Sequence, residues 1–376
     1  MEFELTDDQE FFRETTQKFL AAECPIVKVR ELRSSVQGFE RDYWRQGAEL
    51  GWISLVVPEA HGGGSVSGRG IADLTVVADA FGTHVAPGPL VPCNVVAATL
   101  ARSGSAEQRE LVPELVAGDV VATWAYMEAP PHDALGEVAL VAAADGGDFV
   151  LRGVKSPVEA GAEAQHLLVT ATTDAGPTQF LVPAETPGLT ITQLRSVDMV
   201  RRYARVTFDE VRVPARAVVG ELGGGAADVE HQLHLAAVVQ VAEMAAAARQ
   251  AFDITLDWAF SRYSFGRPLA SYQEIKHRFA DMKMWLEASE ALADDAARKV
   301  QDGDEHAGHA VSAAKAYAGT YLAELLQDCV QLHGGIGVTY EHDLHLFLRR
   351  VTVDRMTYGT PSDHLVRLAD LSAAVA

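Results

Sequence analysis

Arg262-Tyr263-Ser264-Phe265-Gly266-Arg267-Pro268-Leu269 is the stretch on which the reading of this 376-residue chain turns. Upstream of it, from about Leu235 to Arg262, Met244, Ala247, Ala251, Ile254 and Trp258 form an apolar stripe at helical spacing, with Arg249, Asp253 and Asp257 offset. Downstream, Gln273 precedes a second stripe of Ile275, Phe279, Met282 and Leu286, and Tyr317, Tyr321, Leu325 and Leu332 make a third. A basic residue, a glycine and a proline are an ordinary helix stop. That explanation covers Gly266 and Pro268 but leaves Phe265 and Gln273 unaccounted for. The third stripe runs into Gln331-Leu332-His333-Gly334-Gly335-Ile336-Gly337-Val338. Its glycines can serve as a cap and a tight turn, or let backbone N–H groups approach a pyrophosphate or ribose. No strand precedes them, so this is not a Rossmann turn. Long helices with short connections predict an antiparallel bundle.

Working towards the N-terminus, the texture is different. Val138–Ala144, Phe149–Arg152, His166–Thr172, Gln179–Val182, Leu189–Leu194 and Val206–Val211 are short β-prone runs punctuated by Asp145-Gly146-Gly147-Asp148, Asp174-Ala175-Gly176-Pro177 and Pro187-Gly188. They predict a small antiparallel barrel or sandwich. Before Val120 the pattern is helical again. Thr6 and Gln9 have capping-box spacing, and helices are predicted over 42–50, 71–81, 93–102 and 106–117. Closing helices are predicted over 344–350 and 362–371. The fold class is therefore mainly α with a β middle domain: an N-terminal helical domain over 1–120, the β domain over 121–222, and a four-helix-bundle domain over 223–376.

Composition narrows function. Thirty-one Lys and Arg against 52 Asp and Glu leave a net charge of −21, which excludes a general nucleic-acid binder and disfavours anionic lipid. No apolar run is long enough to span a bilayer, and the acidic start is neither a secretory nor a transit signal. Cys24, Cys93 and Cys329 are far apart and form no disulfide framework or metal spacing, so a cytoplasmic setting is expected. His333, His342 and His345 lack the ligands to complete a zinc site, and no metal is expected. The Glu341-His342-Asp343 to Arg349-Arg350 run reads as an interface or helix cap, and His61 with its glycines as a surface turn.

Together and in this order, the two segments resemble the flavin-dependent acyl-CoA dehydrogenase family. Gly51-Trp52 through Val57-Pro58-Glu59 with Gly62-Gly63, and Phe208-Asp209-Glu210-Val211-Arg212-Val213-Pro214 with Gly220, extend the resemblance over nearly the whole chain. It implies that Arg262, Ser264, Phe265, Gln273, Gln331, Gly334 and Gly335, with Thr360, contact FAD, the two segments reaching its adenine and pyrophosphate across a subunit interface. Arg262 suits that task, since guanidinium grips phosphate through two donors. The implied chemistry is α,β-dehydrogenation of an acyl thioester, with a carboxylate base and hydride transfer to flavin.

Against the family pattern, the base is missing. The glutamate of the C-terminal I-Y-E-G-T segment falls on Tyr358, and the alternative Glu-Arg pair on Ala236 and Ala237. Glu243, two helical turns on and roughly 10 Å away, is a weak substitute, so the catalytic residue is unknown. The T-E-P-x-x-G-S-D segment appears as Met127-Glu128-Ala129-Pro130-Pro131-His132-Asp133-Ala134, and K-x-W-I-T as Lys155-Ser156-Pro157-Val158-Glu159. What a neighbour's flavin would receive is kept, while what this chain's own flavin ring and substrate would need is lost. The resemblance thus implies the partner subunit of a heteromeric α2β2 enzyme that completes the FAD site of a base-carrying paralogue. Its substrate would be a fatty-acyl or sterol-derived CoA thioester and its electron acceptor an electron-transferring flavoprotein. The alternatives are a self-sufficient homo-oligomeric enzyme using Glu243 or Tyr358, and a flavin-free scaffold.

Overall fold

The computed structural model describes residues 5–373. The chain begins with α1 (Asp7–Glu23), α2 (Ile26–Leu32), α3 (Arg41–Glu49), α4 (Gly70–His84), α5 (Leu90–Ser103), α6 (Ala106–Arg109) and α7 (Val112–Val116). Thr6 and Gln9 close the expected capping box on α1. The single helix expected over 106–117 is two, because Pro113 in the first turn of α7 has no N–H to continue the hydrogen-bond ladder of α6. The Gly51–Val57 stretch is a run of turns that buries Trp52, Ile53, Leu55 and Val57.

The middle region contributes β1 (Ala122–Ala125), β2 (Val141–Asp145), β3 (Asp148–Glu159), β4 (His166–Thr173), β5 (Gly176–Pro183), β6 (Leu189–Leu194), β7 (Tyr203–Pro214) and β8 (Val218–Val219). These form one sheet in the order β6-β7-β3-β2-β4-β5-β8, with β1 paired to β4. The hairpins are antiparallel as expected, but β1 runs parallel to β4, and so does the single β2–β4 pairing, which makes the sheet mixed. A separate apolar core, including Leu151, Leu167, Phe180 and Val206, lies inside it.

The chain then forms α8 (Ala226–Ser261), a two-strand hairpin of β9 (Tyr263–Ser264) and β10 (Arg267–Pro268), α9 (Gln273–Asp302), α10 (Ala307–His333), α11 (Leu344–Asp354) and α12 (Pro361–Ala373). α8 is the central helix, packed against α4, α9, α10 and α11. It meets α4 backbone to backbone: a Cβ on Gly82 would come within 2.2 Å of the Glu243 carbonyl oxygen. One large apolar core unites both helical regions. Cys24, Cys93 and Cys329 are buried free thiols.

Candidate functional site

The segment that opened the sequence reading ends α8 and turns back on itself. Arg262 leaves the helix in extended backbone, and its carbonyl accepts the Leu269 N–H at 2.8 Å to close the hairpin. Phe265 and Gly266 form the tip with φ of +48° and +82°. Two successive positive φ values are what a tight two-residue hairpin requires. Glycine adopts that backbone freely, whereas phenylalanine is strained there by about 1–3 kcal/mol. Phe265 gains no packing in return, being 98 % exposed. Tyr272 donates its hydroxyl to the Ser264 carbonyl at 2.7 Å, and the Arg267 guanidinium lies 3.8 Å over the Tyr272 ring. α9 starts at the exposed Gln273 without a side-chain cap, which leaves its first N–H groups without a side-chain acceptor at the positive end of the helix dipole.

The second segment packs beside the first. Trp258, one turn before the end of α8, carries the Arg262 guanidinium 5.8 Å above its ring and stacks on His333 at 5.2 Å and 15°. His342 closes the stack edge-on at 4.5 Å from His333. Among the described residues, His333 Nε2 and Trp258 Nε1 are buried without a hydrogen-bond partner, while His333 Nδ1 bonds the Cys329 carbonyl. Burial pushes the His333 pKa down, favouring the neutral ring. Gly334 ends α10 with φ +63°, and a Cβ there or on Gly335 would meet nothing within 4 Å. Gly337 is different: a Cβ would come 2.5 Å from the Val330 carbonyl, so the turn itself demands it. Gln331, Gly334 and Gly335 are exposed, as are Arg262 and Gln273. Thr360 belongs to another element, capping α12 through its hydroxyl to the Asp363 N–H.

This corner fits the adenosine and pyrophosphate half of FAD. It offers an exposed guanidinium, open glycine backbone and an uncapped helix start.

The positions expected at the flavin ring are built otherwise. Glu128 and Lys155, the surviving members of the two altered β-domain segments, form a buried pair at 2.6 Å. Glu128 also receives the Ala139 and Leu140 N–H groups, so the pair anchors the loop after β1. Burial lowers Lys155 to about 8. Pro157, in the tryptophan's place, lies within a register shift between Lys155 and Val158, consistent with its lack of a ladder N–H. Glu159 faces inward, 4 % exposed, 3.3 Å from Arg201 Nε. Arg201 also donates to Glu243 and to Asp354. Arg350 bonds Asp198 at 2.6 Å and reaches the other oxygen of Glu243. Lys315 donates to Gln240 and to the Asp354 carbonyl. Burial raises Glu159 to about 7, pushes Asp354 up and pushes Lys315 down.

Tyr358 is likewise internal. It stacks on Trp124 at 5.7 Å and 10°, and Trp124 stacks on Tyr126 at 4.6 Å. Burial holds its hydroxyl well above the ordinary phenol range, the wrong direction for a base. Its carbonyl accepts from His364 Nε2, and burial lowers His364 to about 4. Ala236 and Ala237 are buried. Glu243 has one guanidinium on each carboxylate oxygen and no exposure, which leaves it no access to a substrate proton. These residues do not fit a flavin ring: the space between the β domain and the bundle is filled by ion pairs and stacked rings.

Sequence reasoning missed this network. Arg350 was expected at an interface or cap, yet it is fully buried; only its neighbour Arg349 reaches outward, to the Val197 carbonyl. The available signal was helical phase. Arg350 and Asp354 share α11's apolar face with Leu346, Phe347 and Val351, and charges on such a face are seldom solvated.

Residues 6–119 match the family model for the acyl-CoA dehydrogenase N-terminal domain, and residues 223–369 that for the acyl-CoA dehydrogenase C-terminal domain. The acyl-CoA dehydrogenase IpdE2 of Mycolicibacterium smegmatis is 26 % identical, covering 97 % of this chain and 98 % of its own. FadE27, an acyl-CoA dehydrogenase of Mycobacterium tuberculosis, is 28 % identical over 98 % of both chains. Among solved structures, a variant of the Tcur3481-Tcur3483 steroid ACAD superposes with a TM-score of 0.88 at 29 % identity, over 98 % of both chains. The ChsE4-ChsE5 complex from Mycobacterium tuberculosis gives 0.87 at 27 %, over 99 % of both. Among the described residues no helix is long and apolar enough to cross a membrane.

Proposed function

This chain belongs to the acyl-CoA dehydrogenase family, and we propose that it serves there as the partner subunit of a heteromeric enzyme. It completes the FAD site of a second, base-carrying chain by presenting Arg262, Phe265, Gln331, Gly334 and Gly335 across the interface. The single observation carrying this reading is the split between the two halves of the site. The adenosine-facing corner is exposed and open, whereas Glu243 and Tyr358, the candidate bases, are buried and engaged. The reaction is FAD-dependent α,β-dehydrogenation of an acyl-CoA thioester in an α2β2 assembly. When bound, FAD supplies the hydride acceptor. This chain's own part is to hold the phosphate charge with Arg262 and α9's start, and to place backbone N–H groups beside it. The similarity to steroid ACAD structures favours a sterol-derived acyl group, and an electron-transferring flavoprotein would take the electrons.

Expression separates the readings. Purified alone, the chain should be free of flavin and inactive in a dye-reduction assay with acyl-CoA. Co-expressed with a paralogue that keeps the Glu-Arg pair, it should co-purify with about one FAD per two chains and acquire activity. A yellow, active chain on its own would establish the homomeric enzyme, and a flavin-free complex would establish the scaffold.

A further inference from the structure

We propose that Arg201 is a built-in occupant of the flavin-ring position, a cationic strut that holds the β domain against the helical bundle without cofactor. The proposal rests on the reading that this chain takes no flavin ring of its own. Arg201 stands between β6 and β7, is 2 % exposed, and meets a carboxylate from each body it joins. Glu159 comes from β3, Glu243 from α8 and Asp354 from α11. Its 3.3 Å neighbour Glu159 stands where the family pattern expects a flavin-facing hydroxyl, and the Arg201 charge is felt as far as Tyr358, at the position expected for the base.

The chemistry explains why an arginine holds this place. A guanidinium is planar and delocalised, stays charged when buried, and has donors enough for three acids at once. The hub is nevertheless incompletely hydrogen-bonded. Among the described residues, both Glu159 oxygens, Arg201 Nε, Tyr203 Oη and Asp354 Oδ2 are buried without hydrogen-bond partners. A carboxylate buried in that state is tolerable only beside an opposite charge. The remaining charged and titratable neighbours are Arg350, Asp198, Lys315 and Tyr203. Removing Arg201 therefore leaves Glu159, Glu243 and Asp354 facing one another with too little positive charge. Removing those acids along with it leaves Arg350 on Asp198 and Lys315 on the Asp354 backbone carbonyl, with no carboxylate of the hub left facing another, the exchange that buried ion clusters tolerate.

The test uses the full-length chain and its melting temperature at pH 8 and pH 5.5. Arg201→Met keeps the length and removes the charge, and should melt roughly 5–10 °C lower at pH 8. The deficit should shrink at pH 5.5, where the freed carboxyls regain protons. Adding Glu159→Gln, Glu243→Gln and Asp354→Asn should recover most of the loss and flatten its pH dependence. Should Arg201→Met fail to fold, the neutralised quadruple variant decides: a soluble, cooperatively melting protein supports the strut, and an insoluble one overturns it. An Arg201→Met protein that melts like the parent at both pH values also overturns it. Flavin content of the unmodified chain separates this from the functional reading. A yellow parent defeats that reading, whereas a colourless parent with a silent Arg201→Met defeats only the strut.

Discussion

The hairpin corner at Arg262 and the interior hub at Arg201 are both organised around arginine, yet they are opposite in physical character. At the corner, charge is exposed, backbone is open and Phe265 holds a strained conformation without packing to offset it. In the hub, charge is sealed from water and answered by carboxylates from three elements. An uncompensated strained residue and unmasked backbone are what a surface awaiting a ligand looks like. A closed ionic cluster is what an interior looks like when nothing else is to enter. On the proposed reading, one chain keeps one half of a cofactor site and has closed the other.

The comparison can be broken most directly at its exposed end. Arg262→Ala in the complex with a base-carrying paralogue should lower retained FAD by roughly 10–100-fold, the worth of a charge-assisted phosphate contact. Flavin absorbance of the co-purified complex reads this, and full retention would remove the corner from the FAD site. At the sealed end, Glu159 gives a pH signature. Its raised value, about 7 against the ordinary 4.5, means that between those limits the folded chain holds a proton the unfolded chain has released. Stability is therefore lost as pH rises through that window, and Glu159→Gln should flatten that dependence, its stability relative to the parent rising between pH 4 and pH 8. Denaturation of both proteins across that range checks the sign.

Smaller effects sharpen the contrast. Gly337→Ala should cost about 1–3 kcal/mol of stability, because its Cβ meets the Val330 carbonyl. Gly335→Ala, which meets nothing, should leave thermal melting within about 0.5 kcal/mol yet lower FAD retention in the complex. The smallest effect belongs to Tyr358→Glu. Restoring the family's carboxylate there should give the isolated chain no measurable dehydrogenation, since the position is buried against Trp124. Turnover from that variant alone would mean the hub admits substrate after all.

Much of this was legible before any tertiary structure. The apolar stripes of α8, α9 and α10 and the β-prone runs lie where periodicity placed them, because both patterns are consequences of burying one face. The Arg262 segment stood out because Phe265 and Gln273 had no local structural explanation, and the Gln331 glycines, which a cap and tight turn explain, gained weight only beside it. Less legible were the break between α6 and α7 and the parallel pairing of β1 with β4, which joins strands 44 residues apart at Ala122 and His166. The Glu128–Lys155 pair was hidden differently: both residues were noticed as remnants of altered motifs, and neither motif alone reveals a contact between them.

By itself the sequence determined the helical–β–helical order and the family resemblance, and it raised the expectations of FAD contacts around Arg262 and of an absent base at Tyr358 and Ala236, all from residue type and near-neighbour spacing. Only the tertiary structure decided what lies between the β domain and the bundle. Arg201, Glu243 and Asp354 are 42 and 111 residues apart along the chain, and no local pattern announces that they share one buried point. The physical reason is that a charge's meaning depends on its solvent. The same guanidinium is exposed and free to meet an anion from solution at Arg262, and buried among carboxylates in the dry interior at Arg201.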